Sequence, residues 1–250
     1  MSPGAWIRTP RPRPAAAHRV VCFPHAGGSA NFFRGWAHLR DDAEICIVQY
    51  PGRADRLDEA CYEDLHRLAD DACAAIEPYL ERPSILLGHS MGAVVAYEVA
   101  LRLEAAGRDV ARLVVSASRA PHDPDSVVDR DVLWDDDAAM RSLVSLGGTD
   151  DPELLADPRV RRLVLPYLRA DYTMFQRYRP APGAELGCDV LVVRGADDPH
   201  VTDPQGERWR DVTRGGFGHE VVPGGHFYLA PYPPLDLFLS PLTSQRTYVK

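Results

Sequence analysis

Short apolar runs recur along this chain at residues 19–23, 44–50, 85–87, 112–117 and 189–195, with a last one at 219–222. Apolar side chains at consecutive positions over so few residues predict strands buried on both faces. Between the runs the rhythm turns helical. Leu65, Leu68, Ala69, Ala72 and Ile76 mark one face of a helix that begins near Tyr62 and stops near Tyr79. Ala93, Ala96, Tyr97 and Ala100 mark another, with Ala106 and Gly107 as its cap. Phe32, Phe33, Trp36 and Leu39 predict an amphipathic helix after the first run. Strand alternating with helix predicts a doubly wound, mostly parallel sheet, whose ligands bind beyond the carboxyl ends of the strands.

The alternation stops between Arg119 and Gly187, where helical periods follow one another without a strand. Met140, Leu143, Val144 and Leu146 predict one short helix. Asp151-Pro152 and Asp157-Pro158 each pair a capping carboxylate with proline at a first helical position. Val160, Leu163, Val164, Tyr167, Leu168, Tyr172 and Phe175 follow the second cap, and Pro166 is expected to kink or interrupt that helix. An amphipathic insertion of this kind in a sheet is expected to form a lid over an apolar acyl pocket. Arg159, Arg161, Arg162 and Arg169 are expected on its solvated face. Residues 146–150 resemble a phosphopantetheine attachment loop but lack its serine. The chain therefore divides into a disordered lead-in at 1–17, rich in Pro, Arg and Ala, a core at 18–118, the lid insertion at 119–187, and a second core part at 188–250.

Composition narrows the partners. The 250 residues carry 28 basic and 36 acidic side chains, a formal net charge of -8, which disfavours nucleic acid and anionic membrane surfaces. Five cysteines, an odd number with no Cys-x-x-Cys pair, fit reduced thiols and a cytoplasmic setting. No apolar run approaches the length of a membrane span.

The candidate chemistry sits at the ends of the predicted strands. Gly88-His89-Ser90-Met91-Gly92 places a serine between glycines at a strand-to-helix junction, the nucleophile elbow pattern. Pro24-His25-Ala26-Gly27-Gly28-Ser29 follows the first strand and lacks the spacing of a phosphate-binding loop. In a serine hydrolase such a loop donates a backbone amide to the oxyanion, so Ala26 and Met91 are the candidate donors. His25 and His89 are expected to pack structurally. Asp197 and Asp198 follow the 189–195 strand; Asp198, with Pro199 after it, is the expected acid. His226, in a glycine-flanked loop after the last strand, completes the chain order nucleophile, acid, base.

Beyond the elbow, the chain carries Phe23-Pro24-His25-Ala26-Gly27-Gly28-Ser29, Tyr50-Pro51-Gly52-Arg53, Leu165-Pro166-Tyr167-Leu168-Arg169-Ala170-Asp171, Asp198-Pro199 and Gly224-Gly225-His226-Phe227. In these motifs it resembles the stand-alone type II thioesterases that accompany polyketide and non-ribosomal peptide synthases. The resemblance implies an α/β-hydrolase fold with a helical lid and a Ser90, His226, Asp198 triad. It implies hydrolysis of stalled or misloaded acyl groups from the phosphopantetheine arm of acyl or peptidyl carrier proteins, by a monomer that needs no metal or diffusible cofactor. A general carboxylesterase or lipase, and a non-catalytic protein that binds carrier domains, are the alternatives.

Overall fold

The six apolar runs become six mutually parallel strands of a single sheet in a computed structural model, which describes residues 6–123, 135–145, 157–230 and 232–242. They are β2 (His18–Phe23), β3 (Ala43–Val48), β4 (Ser84–His89), β5 (Val110–Ser116), β6 (Asp189–Gly195) and β7 (Phe217–Val222). A further strand, β1 (Ile7–Arg8), pairs antiparallel with β3, and the spatial order is β1-β3-β2-β4-β5-β6-β7. The chain moves outward from β2 to β3 and then crosses to β4 on the other side of β2. The carboxyl ends of β2 and β4 thus meet at the point where the winding reverses, with Phe23 opposite Gly88. That is where open α/β sheets bind ligands, and both candidate loops begin there.

Strand pleating divides the core in two. Val21, Phe23, Cys46, Val48, Leu86, Val115 and Val192 face the layer formed by α1 (Leu65–Ile76) and α2 (Met91–Ala105). Val20, Cys22, Ile45, Ile47, Leu87, Val114 and Val193 face the opposite layer, which includes Phe33, Trp36 and Phe238. Helix α2 is buried on nearly every side from Met91 to Ala100, so its apolar composition is that of a core helix.

Two expectations change here. Part of the expected disordered lead-in, residues 6–17, is ordered. Trp6 is 1% exposed, its carbonyl accepts the Gln49 amide at 2.7 Å, and Ile7 pairs with Val48. A two-residue strand is too short to give a periodic signal amid prolines and arginines. The expected amphipathic α-helix after β2 is instead a 3-10 run over Ala30–His38. Its buried Ala30, Phe33 and Trp36 recur every third residue, which suits three residues per turn. Leu39, next in that series, is 50% exposed.

Between β5 and β6 lie α3 (Asp136–Ser145) and α4 (Pro158–Arg177). The Asp157 carboxylate caps α4 by accepting the Arg159 amide at 2.7 Å, with Pro158 at the first helical position. Pro166 does not interrupt α4. It is exposed, as is Arg162, whose carbonyl loses its helical donor to the proline. Residues 146–156, including the Asp151-Pro152 cap, lie outside the described residues. The remaining helices, α5 (Asp203–Glu207) and α6 (Leu235–Leu239), flank β6 and β7. Among the described residues no helix is long and apolar enough to cross a membrane.

Candidate active site

Ser90 stands between β4 and α2 with φ 54° and ψ −122°. Non-glycine residues avoid this region, and holding one there costs about 1–3 kcal/mol. The surrounding glycines make the turn possible. A Cβ on Gly92 would lie 2.1 Å from the Phe23 carbonyl oxygen, and one on Gly88 would lie 2.2 Å from that of Gly92. Gly92→Ala must therefore push α2 away from β2. The expected outcome is a loss of about 1–3 kcal/mol or more, seen in a thermal melt as a drop of several degrees; an unchanged melting temperature would contradict this packing.

The candidate base and acid are hydrogen-bonded to each other. His226 Nδ1 lies 2.9 Å from Asp198 Oδ2, and Asp198 Oδ1 accepts the His200 amide at 2.8 Å. Both side chains are buried. Burial works to raise the Asp198 carboxyl, but the hydrogen bond and charge of His226, with the His200 amide, outweigh it and hold it below the usual carboxylate range. A carboxylate so placed orients the ring by accepting the Nδ1 proton and leaves Nε2, itself buried, on the far side of the ring. Nε2 has no hydrogen-bond partner here, and no Ser90–His226 hydrogen bond is formed. Such bonds commonly tighten only when substrate is present. Asp197 is exposed, and its amide is bound to the Gly224 carbonyl at 2.9 Å.

The other histidines divide as follows. The His89 ring lies 5.2 Å from that of His226, and the His25 ring packs edge-on to Phe32 and Phe227, each at 4.7 Å. Burial first, then the charges of His226 and Arg53, push His25 down to about 3. Burial likewise holds His89 well below its ordinary range. Both are neutral at physiological pH and suited to packing. His200 contributes its backbone amide to Asp198, and His219 bonds Glu207 away from this cluster.

The loop after β2 is held from the helical insertion. The Gly27 amide donates to Asp171 Oδ2 at 2.8 Å, and the Gly28 amide donates to the His25 carbonyl at 2.9 Å. The Ala26 and Met91 amides are not among these donors, and Met91 opens α2, where the first amides have no intrahelical acceptor. Asp171 also forms a two-pronged pair with Arg53, Nη1 to Oδ2 at 2.5 Å and Nη2 to Oδ1 at 2.7 Å. Each residue is 2% exposed. The Arg53 guanidinium also lies over the rings of Tyr50 and Tyr167, at 5.3 and 4.9 Å. One ion pair thereby joins the β3 exit, the β2 loop and α4. Leu168 and Tyr172 of α4 cluster with Ala139 and Met140 of α3 and pack against Ala26. A groove of about 830 Å³ runs between residues 59–67 and Met174, Arg177 and Tyr178, away from Ser90 and His226.

The sequence model of the thioesterase domain matches residues 18–234, most of the chain. The chain belongs to the thioesterase family. Thioesterase PikA5 of Streptomyces venezuelae is 43% identical over 230 residues, covering 90% of this chain and 80% of that protein. A probable cadicidin biosynthesis thioesterase of Streptomyces griseus is 41% identical over 228 residues, covering 91% of this chain but 62% of that protein. Among solved structures, RedJ from the prodiginine pathway of Streptomyces coelicolor superposes with a TM-score of 0.82 at 40% identity, covering 91% of this chain and 90% of RedJ. The type II thioesterase BorB from the borrelidin cluster gives 0.81 at 38% identity, covering 90% and 91%. The thioesterase has the α/β-hydrolase fold that its motifs imply.

Two residues that hold this thioesterase site together, Arg53 and Asp171, stand in the quoted motifs but could not be paired from the sequence. The one hint was an acid on the apolar face of α4, beside Leu168 and Tyr172. The arginines expected on the solvated face of α4 are split in role. Arg161 and Arg169 bond Asp137 and Asp136 of α3, tying the two helices together, while Arg159 and Arg162 are exposed.

Proposed function

We propose that this thioesterase hydrolyses stalled or misloaded acyl groups from the phosphopantetheine arm of acyl or peptidyl carrier proteins of a polyketide or non-ribosomal peptide synthase. The observation that carries the reading is the Asp198–His226 pair beside a strained serine elbow, in a chain whose relatives include thioesterases of such clusters. His226 takes the proton of Ser90, whose Oγ attacks the thioester carbonyl. The Ala26 and Met91 amides receive the oxyanion, each worth on the order of 3 kcal/mol to the transition state. His226 returns the proton to the departing pantetheine thiol. It then takes a proton from water as the water oxygen attacks the acyl-serine carbonyl. That proton goes to Ser90 Oγ as the ester bond breaks and the acid leaves, while Asp198 stabilises the imidazolium in both halves. Every proton transfer and charge in this scheme falls to a side chain or amide of the chain, so the reading includes no metal or diffusible cofactor. Helices α3 and α4 act as the lid, the carrier protein is the partner, and the enzyme acts as a monomer in the cytoplasm.

A general carboxylesterase would use the same groups, so the test is a comparison. Hydrolysis of an acyl carrier protein thioester should exceed that of an oxygen ester of the same acid in kcat/KM. Equal or better turnover of the oxygen ester would sink the carrier-protein reading.

A further inference from the structure

Ser116, the last residue of β5, joins the two halves of the site. Its carbonyl accepts the Ser90 amide at 2.8 Å. Its Oγ lies 2.9 Å from His89 Nδ1 and 2.8 Å from the Tyr228 hydroxyl, which in turn reaches the Val193 carbonyl at 3.3 Å. The register explains the meeting: Ser116 lies opposite His89 on β4 and opposite Val193 on β6. Tyr228 comes from the loop of His226, where its amide closes a turn on the Gly225 carbonyl at 3.1 Å. His226 lies inside that turn.

The protons can be placed. A carbonyl only accepts, so the Tyr228 hydroxyl donates to Val193. Ser116 then donates to the Tyr228 oxygen, and the neutral His89 ring donates from Nδ1 to Ser116 Oγ. Only this direction satisfies all three bonds. It leaves His89 Nε2 as a bare lone pair, the ring nitrogen that has no partner, and a buried lone pair is tolerated better than a buried N–H without an acceptor. Removing the Ser116 hydroxyl leaves the buried His89 Nδ1–H without an acceptor, which costs stability, so stability and rate have to be read side by side. What the chain of hydroxyls supplies is position.

We propose that Ser116 and Tyr228 are positioning residues, a buried hydrogen-bonded chain that sets the His226 loop relative to the Ser90 elbow. The proposal rests on Ser90 and His226 being nucleophile and base. A displacement of about 1 Å between such groups can cost about a hundredfold in rate, and the effect falls on the chemical step rather than on substrate binding.

The experiment measures kcat and KM for a propionyl-N-acetylcysteamine thioester with the full chain, Tyr228→Phe, Ser116→Ala and the double variant. Thermal melts accompany it, together with fluorophosphonate labelling located by mass spectrometry. Each single variant removes one oxygen atom, and the melts show which of the two independent variants is folded. The expected result is a fall in kcat of about tenfold or more in each at little changed KM, with the double variant no worse than the lower single, because one chain is broken either way. If the parent protein is labelled at Ser90 and a folded single variant keeps kcat within twofold, the positioning proposal fails alone. It fails too if the losses multiply in the double variant or appear in KM. A parent protein not labelled at Ser90 would overturn the site assignment itself.

Discussion

Ser90→Ala is expected to slow release of a short acyl group from a loaded carrier protein by about a thousandfold or more, with binding of the carrier retained. The variant keeps the backbone amides of Ala26 and Met91 and the Asp198–His226 pair. What it removes is the oxygen that forms the acyl-enzyme, and without it the amides and His226 can only assist direct attack by water. Alanine meets the same left-handed φ of 54° with the same Cβ, so the melting temperature should stay near that of the parent. That separation matters, because an unfolded protein is also inactive. Single-turnover assay of radiolabelled acyl carrier protein, with a melt on the same sample, provides both numbers. Turnover within tenfold of the parent by a folded variant would remove Ser90 from the mechanism.

Asp171→Ala is expected to lower stability by about 3–5 kcal/mol, the usual consequence of removing one partner of a buried ion pair. The guanidinium of Arg53 would remain, 2% exposed, between two tyrosine rings with no counter-charge. The Gly27 amide would lose its acceptor at the same moment. At roughly 2–4 °C for each kcal/mol in a chain of this size, the melting temperature should fall by about 6–20 °C. The double variant Arg53→Leu, Asp171→Leu removes both charges and should recover part of the loss. A calorimetric scan of the three proteins checks the order parent, double, single. A single variant that melts with the parent would show that this pair contributes nothing net.

The parts of the molecule legible in the sequence are those written in local periodicity or fixed by a turn. Consecutive apolar residues marked the parallel strands, and helical spacing marked α1, α2 and α4. The glycines around Ser90 could be read because the elbow leaves no room for a Cβ on either side. Between two adjacent acids, the one followed by proline is the one bonded to His226. What stayed hidden depends on segments far apart meeting in space. Trp6 and Ile7 are ordered only because β3 offers an edge. Ser116 reads as one small polar residue at a strand end until β4, β6 and the His226 loop surround it. The 3-10 run over Ala30–His38 was missed because three-residue and four-residue spacings coincide over so few turns.

The Arg53–Asp171 pair also bears on how the chain reaches this structure. The partners are 118 residues apart, and Gly27 is 144 residues from the carboxylate it binds. As the chain leaves the ribosome, Arg53 is made long before its counter-ion, and it must stay hydrated until α4 exists. The β2 loop cannot take its final shape earlier. Contacts of high sequence separation tend to slow folding, and a chain halted before residue 171 carries the Ser90 elbow without a finished α4 and without β6, β7 or the His226 loop around it.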